Sequence, residues 1–393
     1  MKEEIIIWGA GVWGDVAYHY YKKKGNVICY VDNDQRKWGE TLNGVEICPP
    51  AVLKNRKAKV VLAVKYEIQT IISRLKEYNI ESYILFQMGE EAHSGQEAKD
   101  AERDIQEDTC IVAFSGGLGN QMFQYALMKS LELRGKKVMA DLGAYCHAGV
   151  MDFQLTDVFR RIRLEPCTEK QKQELVEKNA KETGRAAKFM IYSESYEYGV
   201  KKKADLSLLD ISGGILNGMH QSAVFPGRIR NELLEDFAFT KVQEDKLKQL
   251  GDGMAEKNSV GVHIRRGDYL TGNNQWYYGG ICTDEYYKRA IEYLEQKTGK
   301  CTLYFFSNDI KWVKSKYGRE DAVYIEAEMF DDYQDWYDMY LMSVCRHNII
   351  ANSSFSWWGA WLNQNGDKLV VAPKKWINIY EYEDIYPEEW IQI

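Results

Sequence analysis

Along this chain, apolar runs repeatedly stop at short polar turns, and each stop predicts a strand delivering its loop to one end of a sheet. The run Asn348 to Ala351 halts at Asn352, Ser353 and Ser354, then resumes as an aromatic helix through Asn363. Ser259 to Ile264 alternates as a strand and ends in Arg265, Arg266, Gly267 and Asp268. Cys301 to Phe306 predicts a third strand, followed by Ser307, Asn308, Asp309 and a helix. Upstream, Thr109 to Leu142 reads as a strand to Phe114, a turn with Gly116, Gly117 and Gly119, an amphipathic helix from about Asn120 to Leu133, and a second strand. Asp331 to Cys345 predicts an amphipathic helix with Trp336, Met339, Tyr340 and Val344 facing inward and an acidic start that complements its dipole.

Residues 1–87 repeat the alternation as a unit of their own. A strand, then Gly9, Gly11 and Gly14 in GxGxxG spacing, a helix, a second strand and Asp32 form the nucleotide-binding fingerprint in its required context. This predicts a small separate Rossmann-like domain, either a degenerate structural or interaction module or one that still binds a nucleotide. Residues 88–108 are acidic and lack apolar periodicity, which predicts a solvated linker. The remainder alternates strand and helix as an α/β chain, with the Lys- and Glu-rich stretch Glu165 to Lys203 as surface helices.

Composition narrows the class. At 393 residues and 45% hydrophobic the chain suits two or three domains with ordinary cores. It has no apolar run of about eighteen residues and no basic-then-apolar leader, so a cytoplasmic, unexported chain is expected, with peripheral membrane association left open. A net charge of -7 argues against nucleic acid as a partner. Eight cysteines without CxxC pairs predict reduced core thiols, and six histidines without ligand spacing predict no metal site. Asp32-Asn33-Asp34 matches a metal-binding DxD triplet, but its place after the second strand of the first domain suits the fingerprint better.

Three strand-to-polar-turn junctions in one half predict a single crevice for an anionic ligand, because such crevices form at the carboxyl ends of parallel strands. Unpaired N–H groups at the Asn352–Ser354 turn can serve a phosphate or be capped by Ser353 itself. Arg265 and Arg266 offer planar forks of donors, or one pairs with Asp268 and the other is solvated. Asp309 either caps its helix or accepts from a guanine edge. Gly117 and Gly119 allow a close approach to the backbone, with Asn120 and Gln121 opening the helix there. Eight of the eleven tryptophans lie at or beyond Trp276 and could in part line a sugar groove, with Trp361 assigned to the core and Trp357 left open.

GGLGNQMFQYA, HIRRGDY, FSNDI and NSSFSWWGAWLN, in this order, resemble the α-1,2-fucosyltransferases of glycosyltransferase family 11, from about Thr109 to the end of the chain. The resemblance implies a GT-B-like pair of Rossmann-type lobes, 109–250 on the acceptor side and 251–393 binding GDP-fucose, and an inverting, metal-independent transfer of L-fucose from GDP-fucose to the 2-hydroxyl of a galactoside. No cofactor is then required; the partners are the sugar nucleotide and a galactose-containing glycan. By motif, Arg265 and Arg266 hold the diphosphate, His263 and Asp309 contact the guanine, and Ser353, Ser354 and Phe355 form the phosphate-side loop. Asn120 lines the cleft between lobes. Gln221 and Ser222 match the family better than His220, which stands where relatives often carry an aromatic residue. Asp141 and Asp268 are candidates for the general base, although Asp141 can equally cap a turn and Asp268 orient Arg265. Two readings of other classes stand beside this one: an NAD(P)-dependent sugar-nucleotide oxidoreductase or epimerase run by the first domain, and an inactive sugar-binding protein.

Overall fold

The computed structural model describes residues 3–10, 14, 17–18, 21–22, 25–63, 68–80, 83–85, 109–145, 153–168, 170–175, 177, 191–194, 199–240, 242 and 245–393. Gly11 and the 88–108 linker lie outside them. The chain divides near Asp100 into two compact units.

The first unit is built on strands β1 (Glu4–Trp8), β2 (Asn26–Val31), β3 (Thr41–Leu42), β4 (Val45–Cys48), β5 (Lys59–Leu62) and β6 (Tyr83–Leu85), in the order β3-β4-β2-β1-β5-β6. All pairs are parallel except the β3–β4 hairpin. Because side chains alternate along a strand, Ile5 and Ile7 enter one apolar cluster while Ile6 and Trp8 enter the other. Such a doubly covered parallel sheet is what the near-continuous IIIW run requires. Gly9 has φ 114°, and a Cβ at Gly14 would lie 1.9 Å from the Gly9 carbonyl oxygen. The spacing of these two glycines therefore reflects strand-to-helix contact.

The second unit holds two parallel sheets. The first has β7 (Thr109–Ala113), β8 (Lys137–Asp141), β9 (Ile191–Ser193) and β11 (Gly214–Asn217) in the order β8-β7-β11-β9; the short β10 (Lys201–Lys202) lies outside it. The second has β12 (Ser259–Ile264), β13 (Thr302–Ser307), β14 (Ala322–Tyr324), β15 (His347–Ile349), β16 (Val370–Ala372) and β18 (Ile391–Gln392), in the order β14-β13-β12-β15-β16-β18. Both are parallel throughout, giving the expected pair of Rossmann-type lobes.

Two boundaries move. The division expected between 250 and 251 falls inside the Asp245–Ala255 helix, and Gly251 of that helix packs against Tyr340 of the second lobe. The last residues return to the first lobe: β17 (Glu381–Tyr382) pairs with β10, and Asp384 accepts from Ala204. The helix expected to be amphipathic, Leu118–Glu132, is instead buried at 12 of its 15 positions. It is enclosed because Phe123 meets Trp357 at 4.6 Å and Trp358 at 5.1 Å across the lobe boundary.

Candidate active site

The three polar turns gather at the carboxyl ends of neighbouring strands, following β12, β13 and β15, which lie side by side in parallel. Arg265 Nη2 stands 2.8 Å from Asp268 Oδ1, and its guanidinium carbon lies 5.5 Å from the Tyr269 ring. Arg266 Nε donates to Asp309 Oδ2 at 3.1 Å, and its guanidinium lies 3.4 Å over Trp312. Each arginine is thus aligned by one carboxylate and one ring. Asp309 also caps the Ile310–Lys316 helix, accepting from Trp312, while Ser307 Oγ accepts from Asp309 N–H. Asn308 fixes the Arg266 backbone, its Oδ1 accepting at 2.9 Å. Tyr269, Trp312 and Asn308 were not among the sequence candidates; the only sequence signal for Trp312 is its position three residues after Asp309.

His263 is 4% exposed and its Nδ1 has no hydrogen-bond partner. Burial first, then the neighbouring Arg265 charge, pushes its pKa down to about 3, so the imidazole is neutral. Its ring lies 5.9 Å from that of Phe355, tying β12 to the start of the aromatic helix. That helix, Ser354–Leu362, begins at Ser353 without a side-chain cap, and the Leu118–Glu132 helix begins at Gly117 likewise. No side chain takes the first-turn N–H groups of the Ser354–Leu362 helix, whereas at the other helix Asn120 N–H donates back to the Gly117 carbonyl at 2.9 Å. The two beginnings touch: a Cβ at Gly119 would lie 2.5 Å from the Ser354 carbonyl carbon and 2.6 Å from Phe355 N.

Asn120 is half-buried beside this contact, and its Oδ1 accepts from Gln221 Nε2 at 2.8 Å. These contacts link His263, Phe355, Ser354, Gly119, Asn120 and Gln221 in one string, with Arg265 and Arg266 following His263 at the end of β12. Other candidates are engaged elsewhere. Gln121 is wholly buried; it donates to the Gly116 carbonyl and accepts from Gln154 and Leu155 N–H, so it braces its own lobe and is not a donor-site residue. Asn352 donates to the Tyr278 and Trp376 carbonyls, and Tyr269 donates to the Asn352 carbonyl, which makes it a knot beneath the site. Asp141 accepts from Gly143 N–H and pairs with the buried Lys172 at 2.9 Å, so it is not a free base. Trp357, left open between core and acceptor groove, belongs to the core: it is fully buried and donates to the Ile385 carbonyl at 2.7 Å. Of the described C-terminal tryptophans, Trp276 is the broadly exposed one, at 59%.

In the first unit the Asp32 carboxylate accepts from Ala10 N–H at 2.8 Å and Asp34 N–H at 2.9 Å, and pairs with Lys37 at 3.0 Å. It ties the glycine turn to β2 and faces a cation of its own. Among the described residues no cluster of three or more His, Cys, Asp or Glu side chains is placed to hold a metal ion.

A two-lobed α/β protein of parallel sheets, with polar turns gathered at the strand ends of its second lobe, is the class this geometry defines. The chain belongs to glycosyl transferase family 11, whose model matches residues 67–393; residues 1–85 match the C2185-like, N-terminal family. It is 31% identical over 308 residues to an O-antigen biosynthesis glycosyltransferase of Escherichia coli, covering 71% of this chain and 98% of the relative. An alpha-1,2-colitosyltransferase of Escherichia coli is 33% identical over 311 residues, 72% of this chain and 98% of its own. Galactoside alpha-(1,2)-fucosyltransferase 1 of Homo sapiens is 25% identical over 190 residues, 45% of this chain and 52% of its own. Among solved structures, POFUT1 in complex with GDP aligns over 71% of this chain and 99% of its own at 11% identity, with a TM-score of 0.35.

Proposed function

We propose that the protein transfers L-fucose from GDP-fucose, with inversion and without a metal ion, to the 2-hydroxyl of a galactoside in an oligosaccharide or surface polysaccharide. One juxtaposition supports this most: the strand end bearing Arg265 and Arg266 adjoins the uncapped start of the Ser354–Leu362 helix, itself in contact with the Gly119 turn of the other lobe. Breaking the sugar C1–O bond builds positive charge on the ring and negative charge on the departing diphosphate. Donors already aimed at that diphosphate stabilise the transition state more than the ground state. Two guanidinium groups and the first-turn N–H groups supply them, in the place a divalent cation occupies in other transferases. Asp268 and Asp309 offset the local positive charge, so oriented donors, rather than net charge, carry the selectivity.

The same chemistry serves a donor carrying colitose, which is fucose without its 3-hydroxyl, and the 33% identity to a colitosyltransferase favours testing both sugars. The decisive assay offers each nucleotide sugar with a panel of β-galactosides in EDTA and reads products by mass spectrometry. Transfer in the chelator is expected, and Arg265→Ala should lower turnover by at least about a hundredfold, the scale of losing one transition-state donor. An absolute metal requirement, or a near-normal rate in that variant, would refute the assignment.

A further inference from the structure

Asn120 meets a hydrogen-bond chain that has a direction. Trp376 Nε1 donates to Gln221 Oε1 at 2.8 Å, and Gln221 Nε2 donates to Asn120 Oδ1 at 2.8 Å. An indole N–H can only donate. Gln221 must therefore turn its carbonyl oxygen to Trp376 and its NH2 to Asn120, and Asn120 must turn its own oxygen back to Gln221. The side-chain NH2 of Asn120 is left over, with no protein acceptor among the described residues, on a half-buried side chain at the lobe contact.

The loop that carries Gln221 is held in an unusual conformation. Glu194, which follows β9, accepts from Met219 N–H at 2.8 Å. A Cβ at Gly218 would lie 2.6 Å from Glu194 Cγ, and Gln124 Nε2 donates to the Gly218 carbonyl at 2.9 Å. His220 sits at φ 48°, an uncommon conformation for a residue with a side chain. These ties determine where Gln221 points.

Resting on the function proposed above, we infer that Trp376 and Gln221 are positioning residues that fix the polarity of Asn120, so that it offers N–H, not oxygen, to the reacting groups in the cleft. Asn120 is then a donor to the leaving or entering oxygen and not the base that takes the acceptor's proton.

Gln221→Glu tests this at almost constant shape. The carboxylate still accepts from Trp376 but has no N–H for Asn120, whose amide must rotate and present its oxygen to the cleft. Turnover is expected to fall at least about tenfold; the upper limit is the loss of one transition-state donor. Asn120→Ala, which also lacks the donor, should fall as far, and the double variant no further, because both changes remove one interaction. Trp376→Phe, which releases the constraint without reversing it, should fall less than Gln221→Glu. A folded Gln221→Glu enzyme with wild-type turnover, or losses that simply add, would overturn the inference. A second readout is independent of the sugar transferred: in selectively 15N-labelled protein, the Asn120 side-chain amide signals should shift in Gln221→Glu. Unshifted signals would overturn the relay even in an active enzyme, whereas shifted signals in an enzyme inert toward fucose would overturn only the functional reading.

Discussion

At the residue scale, side chains in this protein are given their roles by neighbours distant in sequence. The paired arginines stand out in sequence because their type and their place after a strand suit an anion, whereas the family resemblance is what singles out His263 and places Asn120 at the cleft. Gln121 and Asn352 stand at polar turns of the same kind and Asp141 is a candidate base, yet each is occupied by partners that only folding supplies. Asp338 shows how much a helical pattern conceals. It is 8% exposed on the Trp336–Val344 helix, and burial pushes its carboxyl from 3.8 up to about 8, with Asp335 adding to the rise and a Tyr333 hydrogen bond opposing it. The folded chain then holds a proton that the unfolded chain releases above its ordinary carboxylate range. Stability should fall as pH rises from about 4 to about 8 and level off beyond. Asp338→Asn stays uncharged throughout. The melting temperature of the variant should therefore pull ahead of wild type between pH 5 and 8 by a widening margin, measured by calorimetry; a constant gap would mean the carboxyl is not protonated in the fold.

At the element scale, the Ser354–Leu362 helix is uncapped at its start and heavily capped at its end. Lys368 Nζ donates to the Ala360 carbonyl at 2.9 Å and the Asn363 carbonyl at 2.6 Å, and Arg230 donates to the Trp361 carbonyl while lying 4.4 Å over its ring. Cations at the carboxyl end stabilise a helix whose amino end is left bare for an anion. Periodicity made this helix visible in sequence, together with the parallel strands around it. It could not disclose that the Leu118–Glu132 helix would be enclosed, because an apolar stripe shows one buried face and the other was covered by tryptophans more than two hundred residues away. The close approach at Gly119 gives the contact its test. A methyl there would overlap Ser354 and Phe355 backbone atoms, which cannot move like a flexible side chain. Gly119→Ala should separate the two helix starts and lower kcat on the order of a hundredfold, the scale of a displacement of about 1 Å at a reacting centre. Circular dichroism of the variant should stay native; an active Gly119→Ala enzyme would show that the helix starts need not meet.

At the scale of the whole molecule, every residue assigned to transfer lies beyond Thr109, and the first unit is complete without them. Its sheet is covered on both faces by its own clusters, and none of the residues in those clusters belongs to the crevice. In the fingerprint that suggests a redox or epimerase activity, Gly9 and Gly14 meet and Asp32 reaches back to the glycine turn. Spacing alone could not show that the same carboxylate would already accept two N–H groups and face Lys37, which leaves little of it for a ribose hydroxyl. The transferase lobes have their own shared core, running from Cys110 to Trp390. A chain of residues 101–393 should therefore fold alone, with cooperative thermal unfolding, and keep kcat and donor KM within about twofold of the full protein, as expected for a domain with its own core. Loss of folding in that fragment would make the first unit a structural requirement. Native folding with lost transfer would give it a part in the reaction that the crevice does not reveal.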